Sequence, residues 1–399
     1  MSTVTTRSPE ARLRRARRAA AIAMLFAGLA GCATVSDTYD RWFGSRPAAK
    51  PAPLPALTAT TQPKVIWRGE VGPAEKTVFF PAITGNTVYA AGAAGQIAGF
   101  EVRTGKPVAR INAGQKLTGG VAASGTIVVV GTQKGEVLAF DPAGKQLWKA
   151  QLAGEVLAPP AVEGSLIVAR AGDGRIYGLD AVGGKQRWLY QRTAPPLSLR
   201  SHGGVVLERG AIFAGFPGGR LVALAAATGN VGWDSVVALP KGTTELERVA
   251  DVMGLPVVDG DRVCAVSYQG RVACFDTQSG TTIWARDMSS VAGMDADHRG
   301  AYITDEKNAV IALDKSNGSS LWKQDKLAGR GLSAPLAFGR FVIVGDFEGY
   351  VHLISREDGS FAGRIATDGS AIGATPVALD SNTILVQTRN GGVFAIAVQ

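Results

Sequence analysis

Gly270–Trp284 reads GRVACFDTQSGTTIW, and this stretch decides the fold. From its opening Gly it places a branched apolar residue two positions on, a small residue four on, Asp six on, a turn Gly ten on and Trp fourteen on. The pattern recurs at Gly95 (GQIAGFEVRTG), Gly135 (GEVLAFDPAGKQLW), Gly174 (GRIYGLDAVGGKQRW), Gly219 (GRLVALAAATGNVGW), Asn308 (NAVIALDKSNGSSLW), Gly349 (GYVHLISREDG) and Gly391 (GGVFAIAVQ), eight copies in all. Successive anchors lie 40, 39, 45, 51, 38, 41 and 42 residues apart, a period that belongs to stacked arrays or propellers rather than to one doubly wound sheet.

Each copy reads as strand, turn, strand. Side chains alternate along a strand, so Val272, Cys274 and Asp276 share one face while Ala273 and Phe275 share the other. Both faces are largely apolar, which predicts a strand covered on both sides. The turn glycines (Gly144, Gly184, Gly229, Gly280 and Gly318) stand where a positive φ is needed, and the Asp that opens the turn can accept hydrogen bonds from its backbone. The Trp needs a crevice and an acceptor for its indole N–H, which a gap between neighbouring sheets supplies.

Ahead of each anchor lies a second hairpin, such as PAVEGSLIVARA or PVVDGDRVCAVS. About four short strands per period of about 40 residues predict a β-propeller blade. The expected fold is therefore all-β: an eight-bladed propeller of four-stranded antiparallel blades over residues 64–399. The last copy reaches Gln399 without its Trp, and the first strand-like residues are VIWRG with Trp67. The N-terminal strand near Trp67 is expected to complete the last blade and close the ring, leaving no open edge.

The N-terminal region reads differently. Residues 1–18 carry six arginines and one acid, and AAAIAMLFAGLAGC follows. A basic stretch leading into a short apolar run predicts a signal peptide over 1–31 rather than a membrane-spanning helix. Leu29, Ala30 and Gly31 before Cys32 resemble the lipobox, which implies acylation of Cys32. Ala33, in place of the Asp that retains lipoproteins in the inner membrane of enteric bacteria, points to the outer membrane. Residues 32–63 are rich in Pro and Ala and are expected to form a semi-extended tether.

Composition and charge narrow the function. Hydrophobic residues make up 46% and glycines number 51, which suits many short buried strands and turns. Of the formal charge of +9, +5 sits in residues 1–31 (six arginines against Glu10), leaving about +4 after processing. That balance does not point to nucleic acid. The histidines, His202, His298 and His352, share no metal-ligand spacing, and glycine-rich GAAGQIAG has no following helix to present to a phosphate. No catalytic residues, cofactor or metal are expected. Cys264 and Cys274 flank a turn and can face each other across two strands as a disulfide; equally, Cys274 fills the small-residue slot of the repeat as a buried thiol.

Spacing singles out a binding surface. The intervals from Trp188 to Gly219 (31 residues) and from Trp233 to Gly270 (37) exceed the others, which run from 24 to 28. They contain APPLSLRSHGG and KGTTELERVADVMGLP, inserted at equivalent positions of consecutive blades and so side by side on one face. Apolar Leu197 and Leu199 alternate with Ser198 and Arg200, beside the charged run Glu245, Glu247, Arg248 and Asp251. Apolar anchors with arginine and orienting acids form the mixture expected of a protein interface.

The repeated A-x-D-x-x-x-G-x-x-x-W is similar to the tryptophan-docking repeat of quinoprotein propellers. With the lipobox, eight copies and two insertions, the chain resembles the BamB family, lipoproteins of the outer-membrane β-barrel assembly machinery. PPLSLRSHG and LERVADVMGLPVV resemble the loops by which that family docks on the POTRA domains of the barrel-forming subunit. The resemblance implies partner contacts at Leu197, Leu199 and Arg200 in the first loop and at Arg248 and Asp251 in the second. Met253 stands where a second acid is usual.

It further implies a non-enzymatic monomer within a hetero-complex, lipid-anchored to the outer membrane and facing the periplasm. Unfolded outer-membrane proteins are expected as additional partners. The alternatives are a propeller that binds some other envelope protein, or a quinone-dependent dehydrogenase. Such enzymes carry adjacent cysteines, which this sequence lacks.

Overall fold

The computed structural model describes residues 51–193 and 195–398. The predicted signal peptide, Cys32 and the tether as far as residue 50 lie outside them. Among the described residues, thirty-two strands form eight antiparallel four-stranded sheets. Seven blades take consecutive strands: blade 1 spans 82–112, blade 2 117–151, blade 3 161–190, blade 4 205–236, blade 5 257–288, blade 6 293–324 and blade 7 336–366. Blade 8 combines Val377–Ala378, Thr383–Gln387 and Gly392–Ala397 with Lys64–Glu70 as its outer strand, and Trp67 pairs with Ala395. The two ends of the chain thus latch an eight-bladed propeller, as the missing Trp of the last copy predicts.

The two-faced burial of the third strand builds the core. In blade 5, Ala273 and Phe275 pack with Phe213 and Leu221 of blade 4, whereas Val272 and Cys274 pack with Ala301 and Ile303 of blade 6. Val393 and Ala395 of blade 8 meet Val88 and Ala90 of blade 1 in the same way. The apolar interior is therefore a ring of wedges between blades.

Six tryptophans staple these wedges. The indoles of Trp67, Trp148, Trp188, Trp233, Trp284 and Trp322 donate to the carbonyls of Val102, Ala181, Ala226, Thr277, Lys315 and Arg356 in the next blade, at 2.7–2.9 Å. Each Trp faces the turn glycine of that blade. Gly280 has φ +69°, and a Cβ there would lie 2.6 Å from the Trp233 ring, so both the turn and the close approach require glycine. Inside its own sheet, Trp284 stands opposite Cys274, beside a β-bulge that recurs in every blade between its third and outer strands except blade 8, where it falls within the N-terminal strand. The small-residue slot makes room for the ring.

Two features sharpen the sequence reading. Cys264 and Cys274 are directly opposed on neighbouring strands, with a Cα–Cα distance of 4.0 Å, and form a disulfide; the small slot accommodates half a cystine as well as a thiol. The second feature concerns residues 51–63, expected as free tether. They pack against the ring. The amides of Thr60 and Thr61 donate to the Ala362 carbonyl at 2.9 and 3.1 Å, and Ala52 N–H donates to Ala328 at 2.9 Å. The cause is a missing side chain far away in sequence: Gly363 occupies the Trp slot of blade 7, and the space above it is filled by Thr61 and Pro63, within about 3 Å of where a Cβ would stand.

Candidate functional site

The two insertions form residues 191–204, between blades 3 and 4, and 237–256, between blades 4 and 5. They are tied to each other. Leu199 N–H donates to Asp251 Oδ2 at 2.7 Å, and Ser201 Oγ donates to the Met253 carbonyl at 2.8 Å. Gly203 lies so close to that carbonyl that a Cβ would be 2.4 Å from it. The second loop is braced internally: Glu247 accepts hydrogen bonds from the Thr243 and Thr244 amides, and these hold its carboxyl below the usual range.

Arg200 is held from a third element. Its Nε and one Nη donate to Glu155 Oε1 and Oε2 at 2.8 and 2.7 Å, a bidentate pair that fixes the guanidinium plane. The Arg200 side chain is still 58% exposed. Its hydrogen bonds lower the Glu155 pKa against the opposing effect of burial. Arg200 therefore presents a preoriented, accessible cation.

Beneath the first loop lies a cavity of about 200 Å³ lined by Arg170, Arg192, Phe216, Leu199 and Asp251 among others. The Arg170 guanidinium stacks on Phe216 at 4.9 Å and donates to the Gly203 carbonyl at 3.1 Å. Burial pulls its pKa down to about 10, with Asp251 acting the other way. These groups form the floor on which the loop rests.

Leu197, Leu199 and Arg200 are exposed on the first loop and Arg248 on the second. Asp251 differs from expectation. It is 2% exposed, and its second oxygen accepts the Gly218 amide at 3.1 Å. Buried behind Leu199, it positions the first loop and does not itself face outward. Met253 participates through its backbone carbonyl, which any residue at that position supplies.

Three residues escaped the sequence reading. Leu246 and Leu239 are exposed to 72% and 65% and add apolar area to the second loop; their place within the longer insertion was the available signal. Glu155 belongs to the connection between blades 2 and 3, and nothing in its local sequence marks it as the Arg200 partner. Among the described residues no three His, Cys, Asp or Glu side chains are grouped so as to hold a metal ion.

The comparisons agree with one another. Residues 93–324 match the family described as outer membrane protein assembly factor BamB. The outer membrane protein assembly factor BamB of Nitrosomonas eutropha is 42% identical over 379 residues, covering 93% of this chain and 92% of that protein. Its counterpart in Bordetella pertussis is 40% identical over 383 residues, 96% and 97% of the two chains. The crystal structure of BamB from Moraxella catarrhalis superposes with a TM-score of 0.77 at 27% identity, over 84% of this chain and 99% of that one.

Proposed function

The chain belongs to the BamB family of outer membrane protein assembly factors, and from that membership we propose that it is a non-catalytic scaffold docking on the POTRA domains of the barrel-forming subunit. It acts as an outer membrane protein assembly factor within the assembly complex, at the periplasmic side of the outer membrane. In the proposed complex, Leu197, Leu199, Leu246 and Arg248 meet the partner around Arg200, and Asp251 sets the Leu199 backbone from behind. Cys32, acylated, holds the protein at the membrane.

The observation that carries this reading is that two loops, tied at Leu199–Asp251 and Ser201–Met253, both expose leucines and that the first also carries a preoriented arginine. Hot spots combine such anchors with surroundings that exclude water, and loops ordered before binding lose less entropy on association. The ring supplies rigidity, and the surface needs no chemistry of its own.

The test is binding of purified residues 33–399 to the periplasmic POTRA fragment of the host's barrel subunit. Saturable binding that Leu199→Glu abolishes while the fold is retained supports the reading. Equal binding by wild type and variant contradicts the assigned surface.

A further inference from the structure

We propose that residues 51–63 are a fixed strap that roots the membrane tether on the same face of the ring as the docking loops, about three blades away. The proposal rests on the reading of Cys32 as the anchor.

The strap is built, not draped. Besides the bonds of Ala52, Thr60 and Thr61, its carbonyls receive two arginines: Arg330 Nη1 donates to Ala52 at 3.1 Å, and Arg364 Nη2 to Pro55 at 3.2 Å. Both arginines belong to a buried network in blade 7. Arg330 donates to Asp346 and Glu348. Asp346 faces His352 Nε2 at 3.0 Å, and Arg364 Nε donates to His352 Nδ1 at 3.1 Å. Arg330, Asp346 and His352 are nearly or wholly buried. Cations so placed are oriented by their carboxylate and imidazole partners, and their remaining donors end on the strap backbone, which spares those donors an unmet desolvation cost. The apolar part of the seat is the slot that Gly363 leaves where other blades place Trp.

Strand direction gives the face. The connection that follows each outer strand lies on one rim of the ring, because strands alternate in direction within every blade. Both docking loops are connections of this kind, and so is residues 325–335, where Ala328 and Arg330 receive Ala52. His202, Met253 and Leu255 of the docking loops and Leu332, Ser333 and Ala334 of that connection line one shared depression of about 170 Å³. The strap therefore enters on the docking rim, descends the outer edge of blade 7 from Pro55 beside Arg364 to Thr61 beside Ala362, and turns back as the outer strand of blade 8.

Two consequences follow for the anchor. From Cys32 the chain reaches Pro51 across about 19 residues, at most roughly 65 Å, rather than the roughly 110 Å that a free chain to Lys64 allows. The anchor also pulls on the rim that binds the partner, so the docked partner lies on the membrane side of the ring.

Two measurements on the full lipidated chain test this, and neither needs the partner, so the strap fails separately from the docking reading. The pair Ala52→Cys with Ala328→Cys is expected to form a disulfide in most molecules, read by mass spectrometry of the linked peptide. Ala52→Cys with Val182→Cys, on blade 3, is expected to form none. In vesicles containing quencher-labelled lipid, a fluorophore on Leu239→Cys at the docking rim is expected to be quenched at least twofold more than one on Val182→Cys at the opposite rim. Absence of the Ala52–Ala328 link, or stronger quenching at Val182, overturns the proposal.

Discussion

The backbone N–H of Leu199 donates to Asp251 Oδ2 at 2.7 Å, although 52 residues separate them in sequence. One buried carboxylate joins the two loops and also holds the Gly218 amide. The exposed leucine owes its position to a buried residue.

Asp251→Ala leaves both amides without an acceptor, and a buried donor left unmet costs about 1–3 kcal/mol. The variant is expected to lose partner affinity and to melt earlier, because loop and blade share the carboxylate. Asp251→Asn keeps an acceptor oxygen and is expected to lose less of both. Calorimetric titration beside a thermal melt separates the effects; unchanged affinity in Asp251→Ala contradicts the positioning role.

Leu199→Glu and Leu246→Glu place charge on exposed loop positions. Each is expected to weaken partner binding by about 2 kcal/mol or more while shifting the melting temperature little, since neither side chain belongs to a wedge between blades. Unfolding of either variant would show that these leucines hold the ring together.

Trp284→Ala behaves in the opposite order. It removes a buried aromatic and its bond to Lys315, with an expected loss of about 3–5 kcal/mol. Denaturant unfolding checks this, and a loss below about 1 kcal/mol would contradict the stapling role of the indoles.

Acid is expected to loosen blade 7. Burial lowers the His352 pKa from 6.5, with Asp346 opposing that shift and Arg364 and Arg330 reinforcing it. The unfolded chain then binds this proton at a higher pH than the folded one. Stability from the neutral imidazole is fully present above about pH 6.5 and declines as pH falls from there toward the folded value. Burial alone would raise Asp346, but hydrogen bonds from His352, Tyr350 and Arg330 outweigh it and keep the carboxylate ionised. His352→Gln can donate to Asp346 and accept from Arg364 without titrating, so its melting temperature is expected to fall less between pH 7 and pH 5 than that of wild type. Parallel profiles contradict this assignment.

The blades are legible because a few residue types each answer one steric demand. A glycine at positive φ, a small residue opposite a Trp and a Trp that meets the next blade leave a fixed spacing in the chain. Even the closing strand shows itself, since the copy at Gly391 lacks the Trp that Trp67 supplies. The strap is not legible. Pro-rich composition says only that the segment is extended, whereas its seat depends on Gly363 and on arginines 278 and 309 positions away. Asp251 misleads for a related reason: a carboxylate within a charged run reads as surface, and only the fold brings the Leu199 amide over it. The leucines and Arg200 are legible as a patch because the insertions break the period, but Glu155, which aims Arg200, carries no local mark.

The most direct measurement is the affinity of purified residues 33–399 for the POTRA fragment of the barrel-forming subunit, for wild type and for Arg200→Glu. The account predicts saturable wild-type binding that falls at least tenfold in a variant that remains folded. No wild-type binding, or a folded variant that binds as tightly as wild type, would contradict it.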